Sequence, residues 1–275
     1  MNQKGRLSID ESRGETPMGN SRREIIREML LEKPFVSLQE LTERFPALSS
    51  MTLRRDIEYF EEQGECIKVR GGARSMKFIT TSLEESFNLR LHANSAAKDS
   101  IARKAVTLIE PGRSIFLDSG TTILRLVNVI GDERLTITTS GPNVALELLK
   151  KNMPIVNIVG GMINRDNISV SGTQAIRYME DINIDIAFLT PSGLTVENGF
   201  TCGNYSECEF KRLIIEKARK VVLLMDSSKI DKSLPYTFAG IGDVDAVITN
   251  RELPPEITAQ AKLSGTEIII AKPGT

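Results

Sequence analysis

Beyond Lys98 the chain alternates stretches of helical period with seven short apolar runs, at residues 114–117, 135–138, 155–159, 185–189, 221–225, 246–248 and 268–270. Runs of this length separated by amphipathic helices indicate βαβ units and a mostly parallel sheet, hence an α/β fold. In such sheets ligands bind beyond the carboxyl ends of the strands, so the residues that follow each run are the ones to read.

After the first run comes Asp118-Ser119-Gly120-Thr121-Thr122, leading into an apolar helix near Ile123. A glycine turn with hydroxyls at a helix start presents unpaired amides and the positive end of the dipole, which suits a phosphate. Thr139-Ser140-Gly141-Pro142-Asn143, Gly160-Gly161, Ser169-x-Ser171-Gly172 and Asp226-Ser227-Ser228-Lys229 follow the same logic more weakly. The Gly160-Gly161 pair lets a ligand approach the backbone closely, and Lys229 supplies a cation. Each loop alone is built of ordinary turn residues. Several at successive strand ends favour one shared polar crevice.

Ahead of this segment lies a shorter one of different character. Ser21-x-x-Glu24 and Ser37-x-x-Glu40 both match a capping box, so two helices are predicted to start near these points. Phe45-Pro46 closes the second, Ser49 caps a third with Leu48 able to staple onto Leu53, and Gly64 ends it. On the third helix Leu53, Ile57 and Phe60 face inward, while Ser50, Met51, Thr52, Arg54 and Arg55 ring its exposed start. That is the end a recognition helix inserts into the major groove. Residues 66–74 read as a hairpin turning at Gly71-Gly72, with Lys68, Arg70 and Arg74 on its arms, a wing able to lie along phosphates. The segment from Ser21 to Lys77 carries 11 Lys+Arg against 10 Asp+Glu, so its charge alone does not separate a DNA reader from an amphipathic three-helix unit that never meets DNA.

A chain of 275 residues with 40% hydrophobic content has room for two domains. A net charge of −1 excludes a polycationic coat protein. No apolar stretch approaches a membrane span and the first residues are too polar for a signal peptide, so a cytoplasmic protein without membrane contact is expected. Cys66, Cys202 and Cys208, with His92 the only histidine, offer neither a zinc site nor a disulfide framework, and no cofactor is implied. The expected organisation is a disordered tail over 1–20, a winged helix-turn-helix over 21–74, a linker over 75–94 and an α/β sensing domain over 95–275. In the linker, Ser82-x-x-Glu85 predicts the cap of a short helix carrying Phe87 and Arg90, and Met18 is a second possible translation start.

The stretch Val36-Ser37-Leu38-Gln39-Glu40-Leu41, then Leu48-Ser49-Ser50-Met51-Thr52-Leu53-Arg54-Arg55-Asp56-Ile57, then Gly64 and Arg70-Gly71-Gly72-Ala73, resembles the DeoR family of bacterial transcriptional regulators, and the likeness continues to about Asn250. It implies that Thr52, Arg54 and Arg55 contact double-stranded operator DNA. It also implies a sensor domain similar in fold to sugar-phosphate isomerases, binding a phosphorylated sugar or related metabolite. Asp118 to Thr122, Gly160, Gly161, Gly193, Gly199, Lys211 and Asp226 to Lys229 match the family pattern. Arg70 stands where the family often has histidine, and Thr139-Ser140-Gly141 and Thr190-Pro191-Ser192 replace commoner forms. The effector-binding set is thus Asp118, Ser119, Gly120, Thr121, Thr122, Ser140, Gly160, Gly161, Lys211, Asp226 and Lys229.

Three functions compete. The first is a regulator, most often a repressor in this family, acting as a homo-oligomer on DNA under control of a phosphosugar. The second is a sugar-phosphate isomerase carrying a DNA-binding module, with Asp118, Glu207, Lys211, Asp226 and Lys229 available for acid/base work. The third, a nucleotide sensor, lacks both glycine-rich nucleotide motifs.

Overall fold

The structure is a computed structural model, and it describes residues 17–33, 35–76 and 87–272. The chain forms two compact units, Met1–Ile79 and Thr80–Thr275.

In the first unit α1 (Pro17–Glu32) is followed by β1 (Phe35–Ser37), α2 (Leu38–Arg44), α3 (Ser50–Glu62), β2 (Cys66–Val69) and β3 (Gly72–Ser75). Ser37 caps α2 through the full capping box: its Oγ accepts from the Glu40 amide at 3.0 Å, and Glu40 accepts from the Ser37 amide at 2.8 Å. These bonds hold the Glu40 carboxyl down to about 2. Ser49 caps α3 by accepting from the Thr52 amide. Gly64, at φ +72°, closes α3 in the left-handed conformation that glycine adopts without strain.

Two expectations need correction here. The first helix starts at Pro17, so Ser21 lies one turn inside it instead of at its start, and residues 17–20 belong to a helix instead of a tail. Proline suits a first helical turn, whose amide has no partner anyway. The strand β1 was also not anticipated; it pairs with β3 and makes the wing the far side of a three-stranded sheet, ordered β1-β3-β2. Three residues bearing one buried side chain, Val36, leave too little pattern to read.

Leu53, Ile57 and Phe60 are buried as their spacing predicts, in one core with Ile26, Leu30, Val36 and Leu41. Asp56 is buried beside them. Arg22 donates to both of its oxygens, at 2.6 and 3.0 Å, and Arg23 donates at 3.3 Å while stacking on Tyr59. Arg27 pairs with Glu65. Charged bonds from α1 thereby fix α3 in place, leaving its opposite side exposed.

The second unit opens with α4 (Phe87–His92) and α5 (Ser95–Val106). Its sheet is built from β4 (Ser114–Leu117), β5 (Thr136–Thr139), β6 (Ile155–Ile158), β9 (Ile186–Leu189), β12 (Val221–Met225), β14 (Ala246–Thr249) and β15 (Glu267–Ile270). All seven predicted runs form strands, every pairing is parallel, and the order is β15-β14-β12-β9-β4-β5-β6. Between them lie α6 (Thr121–Val129), α7 (Pro142–Leu148), α8 (Thr173–Met179), α9 (Tyr205–Lys217) and α10 (Pro255–Ser264). Alternate residues of the inner strands β4, β9, β12 and β14 enter opposite cores. Ile115, Leu117, Phe188 and Leu224 face the core under α5 and α6; Phe116, Ala187, Leu189 and Leu223 face the one that includes α9.

Absent from the expectation are a hairpin, β7 (Met162–Asn164) with β8 (Ser169–Ser171), and an antiparallel sheet of β10 (Gly193–Thr195), β11 (Gly199–Cys202) and β13 (Tyr236–Ala239). These strands have three or four residues of mixed Gly, Thr and polar type, which carry no periodic signal. The Ser82–Glu85 cap lies outside the described residues, but the helix it was expected to start is α4, and both Phe87 and Arg90 on it are buried.

The Asp56 ion pairs yield a test. Asp56→Ala leaves two arginines partly buried without an acceptor and is expected to destabilise the first unit by about 2–4 kcal/mol. The measurement is the first transition in denaturant unfolding of the full chain. An unchanged midpoint contradicts the role given to these pairs.

Candidate functional site

The strand order reverses at β4, which has β5 on one side and β9 on the other, so the carboxyl ends of β4 and β9 flank the switch point where α/β sheets place ligands. Asp118, Thr190 and Asp226 follow β4, β9 and β12 there.

Asp118 is buried, yet its Oδ2 accepts from the Thr190 amide at 2.9 Å and hydroxyl at 2.8 Å and lies 3.1 Å from Lys211 Nζ. Lys211 also meets Glu207 Oε1 at 2.8 Å, one helical turn before it on α9, and donates to the Thr190 carbonyl at 2.6 Å. Glu207 in turn accepts from Asn167 Nδ2 at 2.6 Å, and Asn167 accepts from the Ser169 hydroxyl at 2.7 Å. Burial alone would push the Asp118 carboxyl up, but the Lys211 ammonium and the Thr190 donors overrule it and hold it below the usual carboxylate range. Burial likewise works against the charged Lys211, and the Asp118 and Glu207 carboxylates reverse that, holding it above the ordinary lysine value. The set is a closed ionic network joining β4, β9, α9 and the β7–β8 hairpin.

Directly outside this network α6 begins. Gly120 is its N-cap, with no side chain capping the helix. A Cβ at Gly120 would overlap the Thr190 side chain, so only glycine lets the two strand ends approach. Thr121 and Thr122, in the first turn, line a narrow cavity of about 20 Å³ together with Gly120, Thr190, Arg90, Lys98, Asp226 and Lys229. The last four of these also line an adjoining cavity of about 140 Å³, with Asn94, Ser228 and Lys232.

The acidic member, Asp226, is held in place by its neighbours. Its Oδ1 accepts from Asn94 Nδ2 and from the Ser228 amide, each at 3.0 Å. Asn94 makes its bond from a left-handed turn between α4 and α5. Lys98, buried on α5, donates to the Arg90 and Ala93 carbonyls at the end of α4. Its burial, with Lys229, Arg90 and Arg125 nearby, pushes it down to about 8 despite the Asp226 carboxylate.

Of the expected effector residues, then, Gly120, Thr121, Thr122, Asp226 and Lys229 line the cavities. Asp118 and Lys211 sit behind them in the ionic network; Ser140 reaches Asp118 at 3.5 Å and its carbonyl accepts from the Val170 amide. Ser119 is buried between Asp118 and Gly120. Gly160 and Gly161 lie beyond β6 and outside both cavity walls; Gly161, at φ +150°, packs against the Ser171 carbonyl of the hairpin. Sequence reasoning missed Arg90, Asn94, Lys98 and Lys232. All but Lys232 come from the segment around α4 and α5, where no strand end pointed to them.

In the first unit Met51, Arg54 and Arg55 are exposed on α3, with Ser50 at its start and Thr52 half-buried. Arg54 and Lys68 share a groove with Leu38 and Gly71, so the helix start and the wing present one surface. Arg70 and Arg74 are exposed on the β2–β3 hairpin. Lys68 is 2.5 Å from Glu58, and that ammonium pulls the Glu58 carboxyl down.

Comparison with known proteins agrees with this division. Residues 22–78 match the DeoR-like helix-turn-helix domain and residues 93–251 the DeoR C terminal sensor domain. The chain belongs to the DeoR family of transcriptional regulators. Over 86% of its length it is 30% identical to the HTH-type transcriptional regulator GolR of Listeria innocua, covering 92% of that protein. It is 31% identical to the uncharacterized HTH-type transcriptional regulator YgbI of Escherichia coli over 91% of this chain and 97% of that one. The regulator GlpR of Haloferax volcanii is 29% identical over 90% and 96%. Among solved structures, ribose 5-phosphate isomerase A of Methanocaldococcus jannaschii aligns over 50% of this chain and 55% of its own at 16% identity, with a TM-score of 0.38, too low to bear on activity. As a family member the chain is a DNA-binding transcriptional regulator with a sensor domain.

Among the described residues no helix is long and apolar enough to cross a membrane, and no group of His, Cys, Asp and Glu forms a metal site. Cys66, Cys202 and Cys208 are free and buried, and burial raises each thiol, that of Cys66 to about 11, which leaves them poor nucleophiles.

The ionic network makes its own prediction. Lys211→Met strands two buried carboxylates and is expected to cost about 3–5 kcal/mol, whereas Lys211→Met with Glu207→Gln costs less because one stranded charge is gone. Urea unfolding measures both. Equal loss in the two variants contradicts the pairing.

Proposed function

We propose that the protein is a repressor that binds operator DNA as a homo-oligomer and whose DNA affinity is set by a phosphorylated sugar or a closely related metabolite. The observation that carries the effector reading is the cavity at the start of α6, where Thr121 and Thr122 meet Arg90, Lys98 and Lys229. Helix amides, hydroxyls and cations converging on one small space favour a phosphate dianion. Asp226 and Asn94 then face the rest of the ligand, in the larger cavity, as acceptor and donor for sugar hydroxyls. Asp118 and Lys211 act on the ligand through position alone, by fixing Thr190 and the β4–α6 turn. The effector shifts DNA affinity only if it binds the two states unequally.

On the DNA side, Arg54 and Arg55 are the base-reading candidates, supported by Ser50, Met51 and Thr52, while Lys68, Arg70 and Arg74 meet phosphates. Pairing two readers on repeated half-sites supplies affinity that one small helix lacks.

An isomerase reading finds less support. Proton abstraction next to a carbonyl needs a carboxylate free to reach substrate. Asp118 and Glu207 are buried and each already held by Lys211.

Two expected outcomes test the proposal. Arg54→Ala costs about 1–3 kcal/mol of operator affinity and relaxes sequence preference, while Arg74→Ala weakens all sequences alike. Gel shifts against the DNA upstream of the neighbouring genes read this, and unchanged affinity in the Arg54→Ala, Arg55→Ala double variant overturns the DNA surface.

For the effector, calorimetry gives binding of the phosphorylated sugar but not of the free sugar, lost in Thr121→Ala with Thr122→Ala while ligand-free DNA affinity stays unchanged. The affinity depends on pH on both sides of neutrality. Lys98 sits near 8, below its ordinary 10.5, so the fold favours its neutral form and is relieved of a cost as pH rises through that window. An anion favours the charged form, so affinity falls above about pH 8, a fall that Lys98→Met removes, whereas below about pH 6 the phosphate dianion takes up a proton and affinity falls in both proteins. A phosphosugar response that survives in the threonine variant places the phosphate elsewhere.

A further inference from the structure

The seven-stranded sheet ends at β6 among the described residues, and this edge differs from what an edge strand ordinarily looks like. Natural edges are protected by charges, bulges or cover. Residues 153–163, Met-Pro-Ile-Val-Asn-Ile-Val-Gly-Gly-Met-Ile, contain no charged side chain. Large apolar side chains are exposed around the strand, Leu146 on α7 and Leu149 after it, Ile155 and Ile158 on β6, Met162 and Ile163 on β7, bordered by the Lys150–Glu147 pair. Their exposed fractions amount to more than three whole residues of surface, of the order of the ~800 Å² that each partner contributes to a standard-size interface.

We infer that this edge is where a second copy of the chain docks, by antiparallel pairing of β6 with the partner subunit's β6 about a two-fold axis. This rests on the homo-oligomer reading above and gives it a surface. Antiparallel pairing of identical edges is self-complementary, so one patch serves both protomers and leaves no open edge to extend into a fibre. The register follows from the ladder. The Ile155 amide donates to Leu135 and the Val159 amide to Thr139, so by alternation the Asn157 amide also points at β5, and the amides and carbonyls of Val156 and Ile158 point outward. A two-fold axis at Asn157 sets Val156 opposite the partner's Ile158, an exchange of two hydrogen bonds made twice, with Asn157 opposite its own copy in the closer, non-hydrogen-bonded pair. Pro154, which has no amide to offer, precedes the strand and limits how far the ladder runs.

The apolar side chains then meet across the seam on both faces of the joined sheet. Ile155 lies on the face of Thr136 and Ile158 on that of Thr139, one residue parity apart, so burial is shared between the two cores and neither face is left wet.

The full-length chain tests this directly. Sedimentation equilibrium of the wild type is expected to give a dimer or a higher even-numbered assembly at micromolar concentration. Ile155→Lys with Ile158→Lys, which puts charge into the seam, raises the dissociation constant at least 100-fold while cooperative thermal unfolding is retained. In an otherwise wild-type chain Asn157→Cys crosslinks to a disulfide dimer under mild oxidation, because a non-hydrogen-bonded antiparallel pair brings the two Cα atoms to about 4.5 Å, within disulfide range. Glu267→Cys on the opposite edge strand, β15, is the comparison and stays monomeric on a non-reducing gel. A wild type that is monomeric overturns the oligomer reading and this surface with it. A wild-type dimer that resists the double lysine substitution, or that crosslinks through position 267 and not 157, overturns this surface alone.

Discussion

The buried bond between Asp118 and Lys211 is the constraint on which the sensor unit turns. Each ion would be costly alone at this depth, and each is tolerable because the other stands about 3 Å away. Lys211 is further held by Glu207 and by the Thr190 carbonyl, so a helix, two neighbouring strands and, through Asn167, a hairpin are bound to one ammonium. Apolar burial drives these elements together but tolerates sliding. Charge pairs with hydrogen-bond geometry do not, and this is why the strand ends meet in one arrangement.

That arrangement sets what the exposed layer can do. Thr190 is anchored to Asp118 through both its amide and its hydroxyl, and Gly120 lies against it, so the turn into α6 is held rigidly. The first turn of α6 thus holds its amides and the Thr121 and Thr122 side chains in fixed positions on the cavity wall. The two layers differ in place: the inner charges pair with one another behind the strand ends, and the outer residues, from Arg90 to Lys229, line the two cavities.

The DNA-binding unit solves a related problem with fewer residues. Its recognition helix needs one side buried for stability and the other free for DNA. Asp56, in the middle of α3, takes its charge inward to Arg22 and Arg23, while Arg54 and Arg55, two residues and one residue earlier, remain outward. The local charge balance, nearly neutral when counted along the chain, is thus partly sorted in space: Asp56 and Glu65 are neutralised by arginines of α1, Glu58 pairs with Lys68 of the wing, and Arg54 and Arg55 stay exposed.

Much of this was legible before any coordinates. Seven apolar runs marked the seven parallel strands because burial on both faces demands continuous apolar sequence, and the Ser37 and Ser49 caps were visible because they act within four residues. The turn from Asp118 to Thr122 was legible as the passage from a strand into a helix, and Gly120, Thr121 and Thr122 line a cavity there. Tertiary structure alone decided the rest. Short strands such as β1, β7 and β10 exist through partners distant in sequence and carry no period of their own. Asp118 and Lys211, 93 positions apart, look from sequence like two free ligand-binding charges, and only the folded chain brings them into contact with each other. Arg90, Asn94 and Lys98 join the cavity because α4 and α5 cross beside the β12 loop. Sequence determines which segments must be buried and where helices start, since those depend on neighbours a few residues away; which charges pair with each other and which line a cavity depends on distances that only the fold sets.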